Sequence, residues 1–389
     1  MINTPYYVVD KALIDKAYDD LTAALGKYWN NYIIGYSYKT NALLWVINYF
    51  KSRGAYAEVV SDDEYNLAKY IKTPTDNIVY NGPIKTKETM LEAIEGGAIV
   101  NIDSQREIEW LSELSGKGSF SVGVRVNFDI EKLCPTESAC GDEGGRFGFC
   151  YENGELLKAI NKIRAYGVEV KGIHLHTSSK TRGLNIYKAI AKVACDVVSE
   201  YGLELDYIDV GGGFFGGLPT KPQFEDYLRE MSAILKSTVS SDTVKLIVEP
   251  GMSLIGANMS YVTSVIDVKD TTYGRFAITD GSRMQIDPLM TKSSYFYEVE
   301  SSVEKKDKLS EQTVCGYTCM EHDRLFKLRD AVELSVGDVI TYHKVGAYTM
   351  CLSPLFIKYF PEVYLKDNGE LIKIREKWTP EFYVQGSKF

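Results

Sequence analysis

The sequence predicts an α/β protein: an eight-stranded parallel β/α barrel of the TIM type followed by a β-rich domain. Three observations carry this expectation. Short apolar runs alternate with helical patterns through the first two thirds of the chain. The early runs stop near residues 39, 60, 81, 103 and 127, at intervals of 21, 21, 22 and 24 residues. Polar residues and glycines gather where the runs stop. Strand–helix units at this pitch fit a closed barrel better than an open doubly wound sheet, although the pattern does not itself force closure. The barrel is expected over 28–260, and a β-barrel or sandwich over 261–389 together with strand 5–10.

In chain order, Thr4 to Asp10 reads as a strand and an amphipathic helix runs on to Leu25. Tyr32-Ile33-Ile34-Gly35-Tyr36 is a buried strand, and Lys39 stands where it stops. Later runs end near Val60, Asn81, Asp103, Asn127, His176, Gly213 and Gly251, with helices predicted over 42–53, 62–71, 86–97, 104–114, 152–166, 184–201 and 222–237. Residues 128–146 read as a long irregular loop carrying the acidic Asp142-Glu143, and loops of that length are usually functional or disordered. From residue 260 the texture alternates, as in Tyr261–Val268 and Val336–Tyr342, and long helical patterns cease.

Composition narrows the class. With 45% hydrophobic and 25% charged residues the chain has the balance of an ordinary globular protein. A net charge of −9 argues against nucleic acid or an anionic membrane surface as a partner. No apolar run is long enough to span a bilayer, and the N-terminus lacks a signal pattern. Seven scattered cysteines suggest neither a disulfide framework nor a zinc site, so a reducing cytoplasm is expected.

The chemistry sits at the strand ends. These are Lys39, Glu58 with Ser61, Asn81 with Lys85, Arg125 with Asn127, His174 with His176, Gly211 to Gly213, and Glu249. Barrel enzymes keep their active sites on that face. A lysine there between apolar neighbours is a candidate nucleophile, though most such lysines are solvated charges. The run Gly211-Gly212-Gly213 offers backbone N–H groups to an anion, against the plainer reading of a tight turn. His174 and His176 alternate onto one side; metal ligation, stacking on a flat ring and a satisfied core histidine all remain open, and no third metal ligand is evident. Glu249 requires a positive or protonated partner, either a protonated pyridine nitrogen or a barrel lysine or arginine.

An amine, an anion cradle, a stacking imidazole and a carboxylate for a ring nitrogen together describe a pyridoxal 5′-phosphate site. Over nearly its whole length the chain resembles the fold-type III decarboxylases of ornithine, arginine, diaminopimelate and carboxynorspermidine. The resemblance rests on Tyr38-Lys39-Thr40-Asn41, Val60–Glu64, Asp103-Ser104 with Glu107, Arg125-Val126-Asn127 and Arg146-Phe147-Gly148. It continues through His176 with Ser179, the glycine run, Glu249-Pro250-Gly251, Gly316–Cys319 with Asp323, and Gly346–Thr349. It implies that Lys39, Glu58, Arg125, His176, Ser179, Gly211, Gly212, Gly213, Glu249 and Tyr348 hold the cofactor. Lys39, His176, Glu249 and Cys319 would be catalytic, with Cys319 the proton donor, and no metal is expected. It also implies a small amino-acid substrate and a homodimer with shared active sites.

Departures from the family pattern bear on the substrate. The usual Glu-Pro-Gly-Arg ends here in Met252, Asp287-Pro288 stands where diaminopimelate enzymes carry arginine-proline, and their Cys-Glu-Ser-Gly-Asp is Cys319-Met320-Glu321-His322-Asp323. Two cations for a distal carboxylate are missing. Asp287, Glu321, Asp323 and Phe356 are therefore read as facing a substrate with a cationic tail, an amino acid or a carboxy-polyamine. Diaminopimelate decarboxylation, an alanine-racemase-like epimerase and an inactive regulatory homologue are the alternatives.

Overall fold

The computed structural model describes residues 2–301 and 307–388. Phe389, the expected end of the second domain, and the side chain of Asp142 lie outside the described residues. The chain divides into two compact units, Ala17–Ser253 and Met1–Lys16 with Leu254–Phe389.

The chain opens with β1 (Tyr6–Asp10) and α1 (Lys11–Tyr28). Then come β2 (Tyr32–Ser37), α2 (Leu44–Ser52), β3 (Tyr56–Ser61), α3 (Asp62–Tyr70), β4 (Ile78–Ile84), α4 (Lys87–Glu95), β5 (Ile99–Ile102) and α5 (Gln105–Trp110). The series continues with β6 (Phe120–Asn127), the single turn α6 (Ile130–Leu133), the two-residue β7 (Phe149–Cys150), α7 (Glu155–Ala165) and β8 (Val168–His174). It ends with α8 (Leu184–Tyr201), β9 (Tyr207–Asp209), α9 (Phe224–Leu235) and β10 (Lys245–Val248).

These strands form a closed parallel barrel. Pairing runs from β2 through β3, β4, β5, β6, β8 and β9 to β10. The ring closes where Leu246, Ile247 and Val248 of β10 meet Tyr32, Ile33 and Ile34 of β2. Helices cover the outer face, so both faces of the strands are buried and the strands read as unbroken apolar runs. Inside, Ile33, Val79, Tyr207 and Ile247 pack as an apolar plug. The Tyr207 ring fits only because residues 123 and 172 lack side chains. A Cβ at Gly172 would lie 2.0 Å from that ring, and one at Gly123 2.2 Å from its hydroxyl. Several helices start on side-chain caps: Ser61 accepts from Glu64 N–H before α3, and Ser104 from Glu107 N–H before α5.

Two local expectations need correction. Lys39 is not the last residue of its strand; it lies in a 3₁₀ turn, Tyr38–Thr40, two residues beyond β2. The loop 128–146 is not wholly irregular, since it contains α6, a 3₁₀ turn at Gly141–Glu143 and a bridge from Ser138 to Ser179.

The single turn α10 (Met252–Ile255) starts at the end of the barrel unit, and the other unit adds β11 (Met259–Thr271), β12 (Gly274–Thr279), α11 (Arg283–Ile286), β13 (Phe296–Glu300), β14 (Lys308–Cys315) and β15 (Arg324–Val332). After these come β16 (Val339–His343), β17 (Glu362–Asp367), β18 (Glu370–Arg375) and α12 (Pro380–Tyr383). Its strands run in the order β15-β14-β12-β11-β1-β17-β18, with β16 pairing both β11 and β13. β1 is a central strand here, antiparallel to β11 and parallel to β17. No cysteine is disulfide-bonded, and among the described residues no helix is long and apolar enough to cross a membrane.

Candidate active site

The site begins at the turn after β2. Tyr38 and Thr40 are buried on either side of Lys39, and Asn41 closes the turn by accepting from Leu43 N–H at 3.0 Å. This sends the Lys39 amine across to β3, where Nζ donates to Glu58 Oε2 at 2.6 Å. Lys39 keeps about a third of its side chain exposed (34%), whereas Glu58 is sealed (1%). The Glu58 carboxylate also accepts from Ser37 Oγ and, at 3.1 Å, from Asn81 Nδ2. One buried charge thus has three donors, as a desolvated carboxylate requires.

Asn81 links this cluster to a second one. Its amide also donates to Glu249 Oε1, and its own carbonyl oxygen accepts from Asn101 Nδ2 at 2.8 Å. Asn101 in turn accepts from Tyr207 Oη at 2.8 Å and donates to Asp209 Oδ2 at 3.4 Å. Asp209 Oδ1 accepts from Gly211 N–H at 2.9 Å. Two buried carboxyls, Asp209 and Glu249, therefore lie side by side and cannot both ionise cheaply. Burial, then the Glu249 charge, pushes Asp209 well above the usual carboxylate range. Burial would raise Glu249 as well, but His174, Lys39 and His176 outweigh it and hold Glu249 low. Asp209 keeps the proton and Glu249 keeps the charge.

His174 Nε2 lies 3.6 Å from Glu249 Oε2, and neither of its buried ring nitrogens has a hydrogen-bond partner. One donor atom each from His174, Asp209 and Glu249 falls within 4.8 Å of the others, so the third metal-ligand candidate that the sequence did not suggest is present. Asn81 and the Gly211 amide already engage the two carboxyls, which leaves this trio poorly disposed to a cation. His176 lies parallel to His174, with ring centroids 6.3 Å apart and an angle of 13°. Its Nδ1 accepts from Gly212 N–H at 3.3 Å. Burial and then the Arg125 charge push this imidazole down to about 3, so it is neutral.

Arg125 donates to Asp103 Oδ2 at 2.9 Å and to the His176 carbonyl at 3.3 Å, and covers the Phe147 ring. Asp103 Oδ1 accepts from Gly148 N–H, tying the return segment to β5. The glycine run bends with positive φ at Gly211 and Gly213, and at Gly212 it presses so close that a Cβ would sit 2.1 Å from the Glu249 carbonyl oxygen. Ser179 Oγ accepts from Arg182 N–H at 3.1 Å. Lys39, Glu58, Asn81, Arg125, His176 and Glu249 line a cavity of about 320 Å³. It has room for a ring-sized ligand held at several edges.

The remaining predicted residues belong to the other unit. Cys319 is an exposed free thiol in the segment between β14 and β15. Tyr348 has a left-handed backbone (φ 54°) and is 37% exposed, and Phe356 is 36% exposed. Of the three carboxylates expected to face the substrate, two are engaged by their own loops and one is exposed. Asp287 is buried, takes both Nε and Nη2 of Arg283, and accepts from Thr291 N–H, Lys292 N–H and Tyr295 Oη. Asp323 holds its own loop, accepting from Arg283 N–H and from Thr318 N–H and Oγ1. Glu321 is almost fully exposed beside Arg324. The expectation that Asp287 and Asp323 await a substrate amine is corrected accordingly: their lone pairs are taken up by their own loops.

Sequence reasoning passed over Asp209, Asn101 and Arg182. Asp209 precedes the glycine run by two residues, and that spacing was its only signal; Asn101 and Arg182 had none.

Comparison with known proteins adds family and fold. A sequence model of the family "Pyridoxal-dependent decarboxylase, pyridoxal binding domain" matches residues 11–256. The chain is 28% identical to the probable chloroplastic diaminopimelate decarboxylase of Oryza sativa subsp. japonica, over 98% of this chain and 79% of that protein. It superposes on the crystal structure of diaminopimelate decarboxylase from M. jannaschii with a TM-score of 0.88 at 25% identity, covering 100% of this chain and 93% of the other. The structure of the M. jannaschii enzyme in co-complex with L-lysine gives a TM-score of 0.85 at 24% identity, over 99% and 92%.

Proposed function

The chain belongs to the pyridoxal-dependent decarboxylases, and we propose that its substrate is an amino acid whose far end carries no second carboxylate. It is a pyridoxal-phosphate-dependent carboxy-lyase acting on a small amino acid. The residues present fit that cofactor: an amine, an ionised buried carboxylate and a neutral flat imidazole line one cavity, and the imidazole is held by the glycine bend behind it. When bound, pyridoxal 5′-phosphate supplies an aldehyde for amines and a protonated ring that takes up the electron pair left as CO₂ departs.

The roles of individual residues follow from their surroundings. Lys39 would supply the amine that holds the cofactor, with Glu58 keeping that amine in place. Glu249, kept charged while Asp209 carries the proton, holds a proton on the ring nitrogen. His176, neutral and fixed by Gly212, would offer its flat ring to the cofactor and add no competing positive charge. Arg125, Ser179 and the glycine run, with Tyr348, hold the remaining edges. The C–C bond to the carboxylate breaks, CO₂ leaves, and a proton replaces it on the same carbon. Cys319 is the proposed donor of that proton, supplied by the second copy of a homodimer.

The observation that carries the substrate proposal is the loss of the arginine that diaminopimelate enzymes carry where this chain has Asp287. Arg283 neutralises Asp287 at 2.9 Å, so a distal carboxylate would meet no partner rather than a repelling charge. An unpaired carboxylate in a partly dry site still costs several kcal/mol. A second reading, diaminopimelate decarboxylation, is favoured by the names of the relatives. The two separate on kcat/KM for meso-diaminopimelate against lysine, ornithine and carboxynorspermidine. A preference for diaminopimelate would defeat the first. In the same assay Cys319→Ala should slow turnover by about 10²–10⁴-fold while the cofactor's absorbance stays unchanged; unaltered kinetics would remove Cys319 from the reaction.

A further inference from the structure

The family's pattern places a cation directly after Glu-Pro-Gly, and this chain has Met252 there. The fold brings a different cation to the same spot. Arg182, from the loop between β8 and α8, lays Nη1 2.7 Å from Met252 Sδ and stacks its guanidinium over Phe215 at 5.4 Å. Three segments that the chain keeps far apart meet at this one side chain: the Ser179 loop, Phe215 two residues past the glycine run, and the end of the β10 motif. The same segments touch elsewhere, since a Cβ at Gly216 would lie 2.2 Å from the Ser253 carbonyl oxygen.

Arg182 is half-buried, and among the described residues no carboxylate pairs with it. Its contacts are a thioether and an aromatic face, neither of which cancels its charge. Its own N–H donates to Ser179 Oγ at 3.1 Å, and its carbonyl accepts from Tyr227 Oη at 2.8 Å. The backbone at Arg182 is left-handed (φ 52°), a conformation that costs a non-glycine residue energy and persists only when its surroundings impose it. Gly183 stands next to it and could have taken the strained position without that cost. A guanidinium held between Met252 and Phe215, on a loop whose backbone N–H engages the Ser179 hydroxyl, is suited to a doubly charged, oxygen-rich group with bidentate geometry.

We propose that Arg182 is the phosphate-binding cation of this enzyme, standing in from the β8–α8 loop for the missing side chain at residue 252. This rests on the reading of Ser179 and the glycine run as the phosphate cradle. It also explains how a chain with methionine at 252 keeps the site's charge balance: the cation has moved to another loop and the thioether now packs beneath it.

The test is the dissociation constant of the apo-protein for pyridoxal 5′-phosphate and for pyridoxal, which lacks the phosphate, by absorbance titration. R182M should weaken the phosphorylated ligand by roughly 10- to 100-fold and leave pyridoxal unchanged. R182K should recover part of the loss, and R182M/M252R most of it. An equal loss for both ligands would mark Arg182 as a structural residue and overturn the proposal, as would no loss. S179A separates the two readings. If S179A weakens only the phosphorylated ligand while R182M does not, the cradle stands and Arg182 has no part in it. If neither variant distinguishes the ligands, both readings fall. Unchanged discrimination together with a lower kcat/KM for dicarboxylic substrates would assign Arg182 to a substrate carboxylate instead, and the proposal would be wrong.

Discussion

Two lysine–glutamate pairs lie in the same barrel, and they differ in almost everything except composition. Lys39 reaches Glu58 at 2.6 Å, with a third of the lysine exposed to the cavity. Lys85 reaches Glu107 at 3.0 Å, and both side chains are completely sealed. Lys85 also donates to the Gly82 carbonyl at 2.7 Å, and Glu107 accepts from Asp103 N–H at 2.9 Å, so the second pair ties the ends of β4 and β5 together. Burial lowers Lys85 from the ordinary lysine range, against the pull of Glu107. A desolvated lysine is often proposed as a reactive amine. Here the more desolvated of the two is sealed from solvent, and the proposed reactive amine is the lysine with an open side. On that proposal, access and not burial alone separates the two lysines.

Substitution at the two lysines should part activity from stability. Lys39→Ala should lower turnover by at least about 10³-fold, because the covalent step is lost, and should abolish the visible absorbance of the lysine-bound cofactor. Its unfolding midpoint should move little, since Glu58 keeps Ser37 and Asn81 as donors. Near-normal turnover would remove Lys39 from the mechanism. Lys85→Met should do the reverse, destabilising the apo-protein by about 3–5 kcal/mol in urea, as a buried glutamate loses its partner. K85M/E107L should recover most of that loss, because removing both charges removes the desolvation penalty as well. A Lys85→Met protein as stable as the wild type would mean the sealed pair contributes nothing.

A smaller effect concerns the histidine that faces the Lys39 side. His176, beside Arg125, Lys39, His174 and Glu249, is pushed down to about 3 in the folded protein, whereas an unfolded histidine titrates near 6.5. Between those values the unfolded chain binds the extra proton, so folding stability rises with pH across this window and falls as pH drops through it. The contribution is at most about 1.4 kcal/mol per pH unit. Urea melts of the apo-protein from pH 4 to 7, compared with His176→Gln, should show a shallower slope in the variant; parallel curves would refute the assignment.

How much of this was legible in the chain depends on the range of the interaction. Barrel periodicity, Lys39, His176, the glycine run and Glu249 are written locally, since a strand end and its turn occupy neighbouring residues. The difference between Lys39 and Lys85 is not written there, because both follow the end of a strand by one or two residues. Nor is the state of Asp287. Next to a missing arginine it reads as a negative charge offered to the substrate, yet Arg283, four residues away, already holds it.

The amino-acid sequence by itself determined the class of fold, the face that carries chemistry and the residue types gathered there. Hydrophobic period and glycine placement act between near neighbours, and a parallel barrel puts every strand end on one rim. Only the tertiary structure decided which charges meet. Asn81 bridges to Glu249 across 168 residues, Arg182 reaches Met252 across 70, and Asp209 keeps its proton because it is buried with Glu249 beside it. Burial and ionisation depend on the few ångströms around a group, and closure of the barrel sets those distances where separation along the chain does not.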